Sequence, residues 1–160
     1  MVDIIVLWML NEMQVLQVMI PIQSSKSNVC DFLEKMRSIL ESVDFDIRRD
    51  FIFQRYRAID DPDDEYTNEN TLLALDYDME DVVKVLKSLT MEDYHESMVD
   101  NVADGFNVFF VFGKQICKRD VYIKVRLKQR AGMANSYVFC ISFHFARQTI
   151  TLYPYRKKKA

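Results

Sequence analysis

Residues 120–130 read DVYIKVRLKQR, and every second side chain is apolar: Val121, Ile123, Val125 and Leu127. Between them stand Tyr122, Lys124, Arg126 and Lys128, one phenol and three cations. A strand sends successive side chains to opposite faces. This segment is therefore a strand with an oily face that must be covered and a basic face. Residues 137–146, YVFCISFHFA, alternate as well, with Tyr137, Phe139, Ile141, Phe143 and Phe145 set against Val138, Cys140, Ser142 and His144. The segment NVFFVFGKQI precedes both, and the turn-forming CKRD and QRAGMANS separate the three. Gly132 and Asn135 suit unusual backbone angles. Three successive strands on short turns predict an antiparallel meander.

The upstream half has helical spacing instead. After Ser27-Asn28, a helix-capping pair, apolar residues fall at Val29, Phe32, Leu33, Met36, Ile39, Leu40 and Val43, one face of a helix. A short strand is expected near 47–53, a polar acidic loop at AIDDPDDEYTNEN and a helical turn in TLLAL. Asp78 caps a further helix with Met79, Val82, Val83, Leu86 and Leu89 on one side. Thr90 and Asp93 have the spacing of a capping box, which predicts another short helix to about Met98, with His95 exposed on it. Helices first and strands last predict an α+β domain, its antiparallel sheet packed on the N-terminal helices. The predicted sheet core is Val121, Ile123, Val125, Phe139, Ile141 and Phe143. Parity then gathers Tyr122, Lys124, Arg126, Ser142 and His144 on the other face.

A chain of 160 residues buries a core of its own, and residues 28–160 read as one domain. Residues 1–27 read as an N-terminal extension of unassigned role. The apolar run Ile4–Leu10 is shorter than the roughly 20 residues of a membrane-spanning helix. No basic residue precedes it and no small-residue cleavage site follows, so it does not read as a signal peptide. Met9, Met13 and Met19 are alternative starts. Three scattered cysteines, no C-x-x-C and only two histidines argue against a structural zinc site and for a reducing, cytoplasmic setting. There is no P-loop and no G-x-G-x-x-G, so no nucleotide cofactor is expected. Charge is uneven: Asp60 to Asp100 holds fourteen acids and two bases, Lys114 to Arg130 seven bases and one acid. The basic block is either a solvated face or a surface for a polyanion.

The residue types on the basic face suit cleavage of RNA without a metal. That reaction uses the ribose 2′-hydroxyl as nucleophile. It needs a base for its proton, an acid for the leaving oxygen and cations for the charge on phosphate. Histidine titrates near neutrality, tyrosine donates or accepts a hydrogen bond, and lysine and arginine hold phosphate. The catalytic candidates are Tyr122 and His144, whose polar atoms should lie within about 10 Å if both are to reach one phosphate. Lys124, Arg126 and Lys128 are the RNA-binding candidates. Each also has a plain structural reading: a wet strand face, a packing tyrosine, a surface histidine. A two-residue turn between Cys117 and Asp120 would pair Gln115 with Tyr122 and Gly113 with Lys124. Gly113 would then lie in the cleft, where its missing side chain lets a phosphate approach. Lys114 would lie on the opposite face, and an odd turn or a bulge would reverse this.

The segments LKSLTMEDYHESM, VFGK, VYIKV and VFCISFH, in this order and spacing, resemble the MqsR-type toxins of bacterial toxin–antitoxin systems, which look like RelE-fold mRNA interferases. The likeness is strongest from Leu86 to Ala146 and weaker back to the Phe32 helix and forward through TLYPY. It implies a RelE-like α+β fold and a metal-independent endoribonuclease that cuts single-stranded mRNA in the cytoplasm, with no cofactor and with a cognate antitoxin protein as partner. The family's tyrosine in the VYIK-like strand is matched by Tyr122, with Lys124 two places on. Its lysine after SF is replaced by His144. Its helix lysine falls at Glu96, and its glutamine near Val111, with Gln115 close by. Lys114 enters as an extra phosphate ligand. Two functions remain open: an mRNA-cleaving toxin, or a RelE-like interaction module that binds an antitoxin-like protein or RNA without cutting. A regulatory DNA binder lacks the helix-turn-helix pattern it would need.

Overall fold

The computed structural model describes residues 19–102, 105–132 and 135–159. The alternating segments form the middle of a six-stranded sheet. Along the chain run β1 (Met19–Ile22), α1 (Lys26–Leu40), α2 (Ile47–Asp50), β2 (Phe51–Phe53), α3 (Asn68–Leu75) and α4 (Met79–Ser88). A 3₁₀ turn (Met91–Asp93) leads into β3 (Tyr94–Val102), β4 (Gly105–Ile116), β5 (Arg119–Gln129) and β6 (Ser136–Phe145). The strand order is β1-β3-β4-β5-β6-β2. Every neighbouring pair is antiparallel except β2 with β6. The α+β class and the β4–β5–β6 meander read from the sequence are the observed ones.

Helices α1 and α4 cover the oily face. Val29, Phe32, Leu33, Met36 and Leu40 from α1, with Val82, Val83 and Leu86 from α4, share one buried cluster with Val121, Ile123, Val125 and Phe143. The ring of Phe32 stacks on Phe110 with centroids 4.1 Å apart. Each such side chain contributes roughly 1.5–3 kcal/mol on burial, which fixes which sheet face points inward.

One irregularity changes the parity of β6. Lys124 pairs with Ser142 and Val125 with Cys140, which leaves Ile141 as the extra residue of a β-bulge. Beyond the bulge the alternation reverses. Val138 and Cys140 therefore take the core positions expected for Phe139 and Ile141. Phe139 becomes the ladder partner of Arg126 on the basic face. The bulge is held by α3. The Asn68 amide donates to the carbonyls of Ile141 (3.0 Å) and Gln54, and its oxygen accepts from Phe143 N–H (3.0 Å). Thr71 Oγ1 accepts from Phe145 N–H at 2.9 Å. These two buried side chains satisfy the edge of β6 where β2 no longer reaches it.

Other departures are local. Residues 47–50 form a helical turn, and only Phe51–Phe53 is extended. Val43 lies past the end of α1 and is 99% exposed. The turn at Met91–Asp93 runs into a strand, so His95 is on β3 and not on a helix. Strand β1 pairs with β3 from Met19 to Ile22, so the sheet takes in part of the segment set apart as an extension. Residues 1–18 lie outside the described residues.

Candidate active site

Strands β5 and β6 place Tyr122 directly opposite His144. The two rings stack with centroids 5.3 Å apart and planes 18° from parallel. Both open into a cleft of about 680 Å³, which Lys124, Ser142, His95, Arg57 and Arg147 also line. Its far wall is the segment after β6, anchored where Ala146 N–H donates to Asp120 O at 2.8 Å.

The environment sets the protonation of the pair. His144 Nδ1 lies 3.0 Å from the carbonyl of Phe145. A carbonyl only accepts, so Nδ1 carries the hydrogen and Nε2 is the free site of the neutral ring. Burial lowers the His144 pKa; the Phe145 contact opposes this, and Arg57 and Arg147 lower it further. The Tyr122 pKa is pushed up to about 12, mainly by burial and then by the charge of Glu96, with Arg57 opposing. Near neutral pH the cleft thus holds a neutral imidazole beside an intact phenol, an acceptor next to a donor.

The cations of β5 run along the same face on an aromatic floor. Lys124 is buried, its Nζ 2.7 Å from Met19 Sδ and 4.9 Å from the ring centroid of Phe109. The Arg126 guanidinium lies 4.8 Å from Phe109 and 5.9 Å from Phe139. Lys128 Nζ lies 4.3 Å from Phe139, and burial together with Arg126 lowers its pKa. Such contacts hold a cation in place over an aromatic face.

Lys114 is not brought to this face. It pairs with Val121 on the opposite side of the sheet, and its Nζ lies 3.3 Å from Asp93. The hairpin turn is Cys117-Lys118, both with positive φ, so Gly113 pairs with Tyr122 and not with Lys124. Gly113 does stand on the cleft face, but the space above it is filled by the protein itself. A Cβ there would come within 2.2 Å of the Tyr153 hydroxyl and 2.9 Å of Ile150. The missing side chain admits the C-terminal segment, where a phosphate was expected.

Three cleft residues were not found by sequence reasoning. His95 sits at the irregularity between Tyr94 and Glu96 on β3. Its Nδ1–H donates to Leu152 O at 2.7 Å, and its Nε2 lies 3.7 Å from Glu96. Arg57 and Arg147 come from loops, so no periodicity marks them. Arg57 Nε is 4.0 Å from Asp60, and Arg147 forms an ion pair with Asp64. The acidic loop therefore pairs with arginines that line the cleft. Val111, the position resembling the family's glutamine, is buried in the ladder between Glu96 and Lys124.

These features define a class: an α+β protein of the RelE-like kind that presents a Tyr–His pair and a row of cations from one sheet face. Residues 54–145 match the family model described as motility quorum-sensing regulator, toxin of MqsA. The match spans more than half of the chain, from the end of β2 to the end of β6, and the chain belongs to this family. It is thus the toxin of a toxin–antitoxin pair, and the family description names MqsA as the antitoxin that such toxins pair with. No curated protein and no solved structure matches the chain. Among the described residues no helix is long and apolar enough to cross a membrane.

Proposed function

We propose that this toxin is a metal-independent endoribonuclease that cuts single-stranded mRNA in the cytoplasm and is silenced by its antitoxin. The observation that carries the reading is the stacked Tyr122–His144 pair facing one cleft. His144 Nε2 takes the proton of a ribose 2′-hydroxyl. The freed oxygen attacks the adjacent phosphorus, and the bond to the 5′-oxygen breaks as that oxygen takes a proton from water, leaving a 2′,3′-cyclic phosphate and a 5′-hydroxyl end while His144 returns its proton to solvent. Tyr122, kept as a phenol, donates to the phosphate as its charge grows. Lys124 and Arg126, with Lys128 further along the strand, hold the RNA backbone. Arg57 and Arg147 add cations at the cleft wall.

The test uses purified, antitoxin-free protein and RNA in the presence of a chelator. Wild type should cut RNA and leave intact any strand that is 2′-deoxy at the scissile position. His144→Ala should lower the rate about 10²–10⁴-fold with RNA binding largely retained, the usual effect of losing a general base. Tyr122→Phe should cost about 10²–10³-fold, as for one donor to a developing oxyanion. RNA that survives wild type undiminished would leave the non-cutting interaction module as the function of this fold.

A further inference from the structure

We infer that a second cleft, beside the first, binds the RNA nucleotides that flank the scissile phosphate; this rests on the ribonuclease reading for its substrate. The cleft has a volume of about 620 Å³, and Ala146, Thr149 and Ile150 line both it and the first. The two are therefore the opposite sides of one thin wall, and a strand leaving the Tyr122–His144 pair over that wall enters the second.

Three cations line this second cleft: Lys118, Arg119 and Arg156. Lys118 stands at the tip of the β4–β5 hairpin with φ +65° and is exposed. The Arg119 guanidinium is held 3.6 Å from the ring centroid of Phe145, and that of Arg156 3.6 Å from Tyr153. Lys157, Lys158 and Lys159 follow Arg156, all exposed. Among the described residues the one carboxylate lining the cleft, Asp120, already accepts Ile150 N–H at 3.1 Å. A single small anion needs two or three donors converging on a point. Here the cations spread from the hairpin tip to the C-terminal segment, a layout suited to successive phosphates of a polymer.

The acidic loop supplies a competitor. Glu65 lies 3.4 Å from Arg119, in the place a phosphate oxygen would take. Removing this carboxylate should strengthen RNA binding, whereas removing the cations should weaken it. A site used only for folding would not give that pair of opposite signs.

The experiment measures fluorescence anisotropy of 2′-O-methyl RNA, which cannot be cut, as a dinucleotide and as an octanucleotide. The proteins are wild type, Lys118→Ala, Lys118→Ala with Arg119→Ala, and Glu65→Gln. Wild type should prefer the octanucleotide. The double variant should lose about tenfold or more of that affinity, the effect of removing charge-assisted contacts, and leave the dinucleotide unchanged. Lys118→Ala should lose part of it without touching Phe145, and Glu65→Gln should gain. Equal octanucleotide affinity in wild type and Lys118→Ala, or equal losses for both lengths, would overturn the inference. Length-dependent binding by a wild type that cuts no RNA would uphold the second cleft and remove the reaction.

Discussion

In the proposed reaction a histidine is useful as a base only while it stays neutral, and the surroundings of His144 favour that form. Burial and two arginines favour its uncharged form, and the Phe145 carbonyl directs its free nitrogen away from the backbone. The cleavage rate should rise with pH as His144 loses its proton, and the midpoint should lie below the ordinary imidazole value of about 6.5. A pH–rate profile checks this, and His144→Ala should abolish that limb. Stability carries the same sign. In the unfolded chain His144 takes up a proton near its ordinary value, while the folded protein resists until a lower pH. Between the two the unfolded state binds more protons, so stability falls as pH falls through that window. A urea midpoint that drops less on acidification in His144→Ala than in wild type is the expected outcome.

At the scale of elements, α3 decides where β6 points its side chains. Asn68 is almost fully buried and makes three hydrogen bonds, two to carbonyls and one from Phe143 N–H. Asn68→Ala leaves those groups without partners, and each buried orphan costs about 1–3 kcal/mol. The expected loss is about 3 kcal/mol, read from denaturant unfolding, with cleavage falling further as the bulge beside Ser142 relaxes. Gly113→Ala should push Tyr153 aside at a cost of about 1–3 kcal/mol. Tyr153→Phe should recover part of that, because the nearest atom to the new methyl is the Tyr153 oxygen. A double-mutant cycle measures the recovery. The alternation of β5 was legible because a half-buried strand writes its pattern locally. The bulge was not, since YVFCISFHFA is apolar on both parities and the slip at Ile141 depends on Asn68, 73 residues away. His95 was misplaced for a similar reason. The helix-start signal at Thr90 is real, with Thr90 N–H donating to Asp93 at 2.9 Å, but pairing with β4 ends the turn after three residues. Arg57 and Arg147 carry no local pattern, and only the fold brings them to the cleft.

At the scale of the whole molecule, a chain of net charge −3 can bind a polyanion only through its local field, because charges farther apart than about 8 Å are screened at physiological salt. The acidic loop sits inside that range: Asp60, Asp64 and Glu65 each oppose an arginine that lines one of the two clefts. On the proposed function, RNA displaces these carboxylates, and the arginines then release few small counterions when it binds. Asp64→Asn changes this balance. Its carboxylate has a lowered pKa, first through Tyr66 N–H and then through Arg147, so it is fully charged at neutral pH in wild type. With the charge gone, Arg147 meets solvent ions in free protein and releases them to a phosphate. The variant should bind uncleavable RNA more tightly at low salt, and its plot of log affinity against log salt should steepen by about 0.7, one phosphate contact on a single strand. Lys124→Ala should flatten the same plot by a similar amount. An Asp64→Asn slope equal to that of wild type, with Lys124→Ala still flattened, would show that Arg147 stays with the protein and takes no part in holding RNA.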